Sequence, residues 1–240
     1  MHRPWSPLMT RQLLSPRCWF TAVGLVVVGL TAAKADGPYL QAFDPIALLP
    51  PPPAPHSPED VADRDAAFRI YSARTDEEMV TARAEHRVTL DAFAQAMGPV
   101  YEEGKFPKLD KLFEAVGTEV KAAVDQSRDH WKRLRPNVAD PARFKKPGDP
   151  EKTWAYPSGH AAQGICFALL LAEVFPDRRD AILKKGREIG WVRIQAGVQT
   201  PLDNQAGEML GRALAMAYMH EPAFLQDLAA VNAQVADLSQ

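Results

Sequence analysis

The feature that most constrains the fold is a run of apolar residues spaced three and four apart between residues 109 and 134. This spacing places side chains on one face of an α-helix, because each turn takes about 3.6 residues. The face consists of Leu109, Leu112, Phe113, Val116, Val120 and Val124. The segment therefore predicts a long helix that buries one side against a core.

Similar periodicity recurs along the chain, and no segment shows the alternation of apolar and polar residues that is typical of a strand. Further helices are predicted at 59–72, 76–96, 158–174, 178–193, 201–219 and 222–238. Without an internal repeat or a second domain, the expected architecture is all-α, a compact bundle of about six or seven helices.

Residues 1–35 predict a secretory signal peptide. Three arginines precede a short apolar run at 21–30, and small residues follow as an Ala-x-Ala site that ends at Ala35. A membrane anchor is the alternative, but the run falls short of the ~20 residues that span a bilayer. The expected product is a periplasmic protein without a stable membrane anchor.

Cleavage after Ala35 would leave two parts. Residues 36–58 form a proline-rich arm, in which each proline removes a backbone donor and restrains its predecessor. Residues 59–240 form the predicted helical domain. Cys166 would be the one cysteine of the mature chain, and its apolar neighbours predict a buried thiol without an internal disulfide.

The mature chain is expected to be acidic. Loss of the signal peptide removes four of the 28 basic residues and none of the 30 acidic ones, which leaves a net charge of about −6. This balance argues against nucleic acid as the main partner.

Basic residues cluster in the string SRDHWKRLRP, at the end of the long predicted helix. Arg128 and Arg135 are seven apart, so the prediction places both guanidinium groups on one face, roughly 10 Å apart along the axis. A guanidinium is a planar fork that suits phosphate oxygens. Taken alone, a solvated basic face near a helix C-terminus explains the cluster better.

The string YPSGHA stands immediately before an apolar helix and offers Ser158 as its N-cap. Small residues leave the amides of Gly159 and His160 open, and a helix N-terminus attracts phosphate. His160 would then lie beside the anion as a proton donor. A capped helix with a surface histidine in its first turn is an equally good interpretation.

The string WVRIQAGVQTPLDNQAG contributes three polar candidates, Arg193, Gln199 and Asp203. Thr200, Pro201 and Asp203 also form a helix start, with threonine as N-cap, proline at the first position and an acid at the third. Helix capping alone therefore accounts for Asp203.

Together the three strings resemble the phosphatidic-acid-phosphatase type 2 (PAP2) superfamily, whose pattern is K-x6-RP, PSGH and SR-x5-H-x3-D. This chain has R-x6-RP, PSGH and VR-x5-Q-x3-D. The resemblance is strongest to the bacterial class A nonspecific acid phosphatases, because it extends to DPIALLPPPPAP and AEVFPDRRDAILKKGREIGWVR and covers nearly all of the mature chain. It implies the all-α fold shared by these phosphatases and the vanadium haloperoxidases.

The resemblance implies an acid phosphatase that hydrolyses phosphate monoesters through a phosphohistidine, without a metal or another cofactor. It assigns His160 as the general acid and Asp203 as the carboxylate that orients the nucleophile at position 199. The phosphate-binding residues it implies are Arg128, Arg135, Ser158, Gly159 and Arg193. Small phosphorylated substrates or inorganic phosphate are the implied partners, and a homo-oligomer is compatible with the family.

The chain departs from the family pattern at three positions. Arg128 replaces a lysine and Val192 replaces a serine, but the serious change is Gln199 in place of the nucleophilic histidine. A carboxamide has no imidazole lone pair and cannot form the phosphoenzyme by the family's route. The alternative function is therefore a pseudo-enzyme that binds phosphate or phosphoesters, and a haloperoxidase is disfavoured because it bonds vanadate through the same histidine.

Overall fold

The computed structural model describes residues 39–84, 88–145 and 153–238, all within one compact unit. The predicted signal peptide lies outside the described residues. Within the described ranges the regular elements are all helical, which confirms the all-α prediction. Seven of these helices have nine or more residues, in agreement with the expected six or seven.

The first helices in chain order are α1 (Pro45–Leu48), α2 (Pro58–Ala73), α3 (Asp76–Ala84), α4 (Ala94–Met97) and α5 (Pro107–Trp131). They are followed by α6 (Pro136–Ala139), α7 (Gly159–Val174), α8 (Arg179–Gln195), α9 (Pro201–Tyr218) and α10 (Pro222–Leu238). Short 3-10 turns at Leu90–Phe93 and Pro176–Arg178 lead into α4 and α8.

The prediction of one helix across 76–96 was wrong. Helix α3 is described over Asp76–Ala84, whereas Val88 and Thr89 are not helical and a 3-10 turn begins at Leu90. The β-branched pair Val88 and Thr89 precedes that turn, and Thr89 has extended backbone angles. Residues of this kind lose side-chain freedom in a helix and favour extended backbone.

Helix α5 forms because its sequence favours helix at the first position and along one face. Pro107 occupies the first position, where a missing N–H costs nothing. The predicted apolar face is buried along its whole length. Lys132, which adopts the left-handed conformation with φ 49°, follows the last residue of the helix.

Helix α7 lies at the centre of the fold, packed between α8 and α9. Small residues permit this close approach: a Cβ added to Gly211 of α9 would lie 2.3 Å from the carbonyl oxygen of Ala162 on α7. Cys166 is fully buried on α7 as a free thiol, as predicted, and burial raises its pKa. Dense packing fixes the N-terminus of α7 relative to both neighbours.

Hydrogen bonds attach the described part of the proline-rich arm to the helices. The backbone amides of Tyr39 and Leu40 donate to the two carboxylate oxygens of Glu119 on α5, at 2.8 and 3.0 Å. The Tyr39 hydroxyl donates to Asp227 on α10 at 2.7 Å. Along the described ranges, no helix combines the length and apolar character needed to cross a membrane.

Candidate active site

The structure brings most of the predicted site residues to one cleft of about 1010 Å³. The predicted residues that line it are Arg128, Arg135, Gly159, His160, Arg193 and Gln199. Ser158 and Asp203 lie outside the lining. They are buried behind it.

Arg128 projects from the last turn of α5 toward the loop that precedes α7. Its Nε donates to the carbonyl oxygen of Pro157 at 3.2 Å. Its Nη2 lies 3.4 Å from the point where a Cβ on Gly159 would be placed. The guanidinium therefore lies against the first turn of α7.

The prediction that Arg128 and Arg135 share one helix face was wrong. Helix α5 ends at Trp131, and Arg135 is the N-cap of α6, with φ −65° and ψ 149°. Pro136 accounts for the extended backbone of Arg135, because the ring of a proline disfavours the helical conformation in its predecessor. Arg135 reaches the cleft from the segment that follows α5.

The guanidinium of Arg135 is buried and held by three hydrogen bonds. Its Nε donates to the Thr153 carbonyl oxygen at 2.9 Å, and its Nη2 donates to the Thr153 hydroxyl at 2.8 Å. Its Nη1 donates to the Val198 carbonyl oxygen at 3.0 Å. Arg135 therefore connects the segment before α7 to the segment that carries Gln199.

Ser158 caps α7, as predicted. Its hydroxyl oxygen accepts from the backbone N–H of Ala161 at 3.3 Å, and its own N–H donates to the carbonyl oxygen of Asp203 at 2.9 Å. Gly159 and His160 then occupy the first two helical positions, where backbone N–H groups have no partner within the helix. This helix end faces the cleft through Gly159 and His160.

A tight reversal after α8 brings Gln199 to the cleft. Arg193 lies in the last turn of α8, and its carbonyl oxygen accepts from the N–H of Val198 at 3.2 Å. Gly197 has φ 72°, and a Cβ there would lie 2.8 Å from the ring of Tyr71. A glycine is therefore required at this turn by both conformation and space.

The side chain of Gln199 is buried, with 2% of its surface exposed. Its Oε1 is enclosed and receives no hydrogen bond from any residue in the described ranges. An unpaired buried polar atom costs roughly 1–3 kcal/mol. The carboxamide is thus poorly satisfied at the position where the resemblance places an imidazole.

Asp203 is fully buried and already engaged by the protein. Its Oδ2 accepts from the N–H of Thr200 at 2.9 Å, while the Thr200 hydroxyl accepts from the Asp203 N–H. This reciprocal pair is the capping box of α9. The capping interpretation of Asp203 is therefore confirmed, and the predicted orienting role stays a prediction.

Sequence reasoning missed Arg133, whose guanidinium lies behind the cleft. Its Nη1 donates to Asp203 Oδ1 at 2.8 Å and to the Thr200 hydroxyl at 3.0 Å. Its Nη2 donates to Asp60 Oδ1 at 2.9 Å and to Asp63 Oδ2 at 2.8 Å. One buried cation therefore joins three carboxylates from α2 and α9.

Burial and pairing act in opposite directions on these groups. Burial raises the pKa of Asp203, and the charge of Arg133 opposes that rise. Burial also favours a higher pKa for Asp60, but hydrogen bonds from Arg133 and Arg64 outweigh it and leave the pKa of Asp60 below its ordinary value. Burial favours a lower pKa for Arg133, but attraction to Asp203 and the hydrogen bonds that Arg133 donates to Asp63 and Asp60 raise its pKa above the ordinary value.

A metal-ligand cluster is not evident in the part of the chain that the structure describes, where no group of three or more His, Cys, Asp or Glu side chains could hold an ion. The lining of the cleft includes the guanidinium groups of Arg128, Arg135 and Arg193. Guanidinium forks of this kind are suited to oxyanions.

The fold and the site together define a helical protein of the phosphatase class, with a cleft that is lined by arginines and by the first residues of α7. A PAP2 superfamily model matches residues 115–225, which include all three sequence strings. The acid phosphatase of Zymomonas mobilis is 31% identical over 194 residues, covering 77% of this chain and 73% of its own. The chain belongs to the PAP2 superfamily and to the acid phosphatases within it.

Other relatives agree with this assignment. The non-specific acid phosphatase of Salmonella typhimurium is 27% identical over 227 residues, covering 89% of this chain and 90% of its own. That of Providencia stuartii is 28% identical over 224 residues, with 86% and 88% covered. A transmembrane PAP2-type phosphatidylglycerolphosphate phosphatase from Bacillus subtilis has the same fold, with TM-score 0.51 at 17% identity over 67% of this chain and 85% of its own.

The Arg133 cluster predicts a large effect of one substitution on stability. Arg133→Leu removes the shared partner of three buried carboxylates, and breaking a buried ion pair in this way costs about 3–5 kcal/mol. We expect the free energy of unfolding, measured by urea denaturation at pH 7, to fall by that amount. Asp129→Asn, on the exposed side of α5, is the control and should shift it by less than about 0.5 kcal/mol. A loss below about 1 kcal/mol for Arg133→Leu would show that the cluster is not a stabilising hub.

Proposed function

We propose that this chain is an exported acid-phosphatase-like protein that binds phosphate monoesters at a metal-independent oxyanion site. The binding residues are Arg128, Arg135, Ser158, Gly159 and Arg193, with His160 beside them. The observation that carries the proposal is the convergence of three guanidinium groups from separate segments on the N-terminus of α7 in one cleft.

The proposed binding chemistry is electrostatic. Guanidinium groups and the backbone amides at the start of α7 present N–H donors to phosphate oxygens, and the dipole of α7 adds positive potential. Ser158 contributes through the geometry of that first turn, since its hydroxyl caps the helix. His160 is placed to protonate the departing alkoxide of a phosphate ester.

Position 199 limits the chemistry that follows binding. Gln199 has no imidazole with which to attack phosphorus, so no phosphohistidine can form at this position. Hydrolysis by water then depends on the phosphate cradle, as we call the binding residues named above, and on the stabilisation that it gives to the charge developing on the phosphoryl oxygens. Such residual catalysis is small compared with that of a complete site. The same observation favours the second candidate, a pseudo-enzyme that holds phosphate or a phosphoester and turns nothing over.

The binding site itself is tested by titrating the purified protein with inorganic phosphate in a calorimeter. Arg193→Ala should weaken binding by about 10- to 100-fold, because a charge-assisted hydrogen bond contributes about 1.5–3 kcal/mol. Arg187→Ala, on the exposed surface of the same helix, is the matched control and should bind as the parent does. Equal affinity in the parent and in Arg193→Ala would exclude the proposed cradle.

Restoring the histidine tests the role of position 199. In Gln199→His, His160 is present as the acid, and the Asp203 carboxylate has a lone pair left on each oxygen after the bonds from Arg133 and Thr200. Hydrolysis of p-nitrophenyl phosphate should therefore rise by at least ~10²-fold, with an acidic optimum because His160 must be protonated.

Rapid quenching with labelled substrate should trap the label on residue 199 of this variant and on no residue of the parent. Gln199→Asn serves as a control, since it changes the side chain without supplying an imidazole. A parent that turns over as fast as Gln199→His would assign the reaction to another nucleophile or an activated water.

Export is part of the proposal and rests on the basic start, the short apolar run and the Ala-x-Ala site. The full chain expressed in a Gram-negative host should appear in the periplasmic fraction with Asp36 as its first residue. N-terminal sequencing after osmotic shock makes the measurement. A protein that retains Met1 and sediments with membranes would contradict it.

A further inference from the structure

The cleft extends far beyond the phosphate cradle, along one face of α5. Its lining includes Asp110, Glu114, Gly117, Lys121 and Arg128, which follow one another at helical spacing. Asp110 and Arg128 are 18 residues apart, so this face is about 27 Å long at 1.5 Å per residue. Inorganic phosphate would occupy one end of such a groove.

The inner end of the groove carries the marks of a ligand site. Three arginines line it together with His160. Gln199 lines the same end, is 2% exposed, and has an oxygen that no described residue satisfies. The unsatisfied atom is an acceptor, so the partner that it lacks must bring a hydrogen-bond donor, which a water or a singly protonated phosphate group supplies.

The outer end of the groove has the opposite charge. The carboxylates that line it are Asp91, Glu103, Asp110 and Glu114. Across the described residues of this outer half, from Val88 to Thr118, the lining includes no lysine or arginine. Lys121, near the middle, is paired with Asp125.

The charge of one outer carboxylate acts on another. Asp91 accepts a hydrogen bond from the Tyr101 hydroxyl at 3.0 Å. Burial and the charge of Asp91 raise the pKa of Asp110. Mutual repulsion between acids in a partly enclosed groove is relieved by a cation bound between them.

We propose that this groove takes an elongated phosphomonoester whose leaving group lies along α5 and ends in a cationic group about 20 Å from phosphorus. The inference rests on the proposed function, because the phosphate end is the cradle described above. The outer carboxylates then determine specificity. They select among phosphate esters by the charge at the far end of the alcohol.

A peptide supplies a probe of the required length, since an extended chain spans at most about 3.3–3.6 Å per residue and seven residues reach about 20–25 Å. The probe is an N-acetylated heptapeptide with phosphoserine first and lysine amide last. A methylene replaces its ester oxygen, so that it is not cleaved. The matched probe carries glutamate in place of the lysine, and inorganic phosphate is the common reference.

Calorimetry at low ionic strength is expected to show tighter binding of the lysine probe than of the glutamate probe, by at least about fivefold. The double substitution Asp110→Asn with Glu114→Gln should abolish this preference and leave the affinity for inorganic phosphate unchanged. Asp177→Asn with Glu188→Gln removes the same charge from exposed positions outside the groove and should preserve the preference.

A second variant tests the path of the leaving group without changing charge. Thr118 is exposed on the groove face of α5, so Thr118→Trp places a large ring between the two ends. It should weaken binding of the lysine probe and leave inorganic phosphate binding as in the parent. Unchanged binding of both ligands would overturn the proposed path.

The outcomes separate the inference from the function on which it rests. If inorganic phosphate binds the parent but the two peptides bind equally, the elongated cationic ligand is excluded and the oxyanion site stands. If inorganic phosphate does not bind the parent, the proposed function fails and the inference fails with it.

Discussion

The arrangement of the site depends on the buried ion pairs of Arg133. This residue follows the end of α5 and binds carboxylates on α2 and α9 that are distant from it in sequence. Those bonds fix the start of α9, and with it the turn that carries Gln199. The desolvation of a buried guanidinium is costly. Arg133 stabilises the fold because its ion pairs with Asp60, Asp63 and Asp203 offset that cost.

The proposed phosphate cradle lies on this framework, where the ends of α5 and α8 meet the segments before α6 and α7. Arg128 reaches the loop before α7, and Arg135 bridges that loop to the segment after α8. Gly197 provides the conformation and the space that the turn after α8 needs. The cleft therefore owes its geometry to connections held by side chains, while the long helices supply a rigid base.

The sequence predicted those parts of the molecule that depend on local patterns. The apolar face of α5 was correct residue by residue because helical periodicity is set by neighbours three and four apart. The caps at Ser158 and Thr200 were correct for the same reason. The placement of Arg135 was wrong although a local signal existed, since Pro136 restrains its predecessor.

The parts that could not be predicted depend on distant contacts. Nothing near Arg133 indicates that it meets residues about 70 positions earlier and later, although two acids three apart at Asp60 and Asp63 do mark one face of α2. The acidic outer groove combines residues of α5 with residues from 88 to 104. Part of that segment was wrongly predicted to belong to one helix over 76–96. A family resemblance suggests roles for the motif residues, but it says nothing about a surface such as the outer groove, whose acidic residues lie outside the motifs.

The enclosed, unsatisfied carboxamide of Gln199 has a consequence at the level of the gene. Codons for glutamine and histidine differ only in the third base, so one nucleotide separates this chain from one with an imidazole at the same point. The surrounding helices, caps and arginines would not have to change. A single base substitution in a population that carries this gene is therefore enough to place an imidazole at position 199, and selection under phosphate limitation would act on that variant directly.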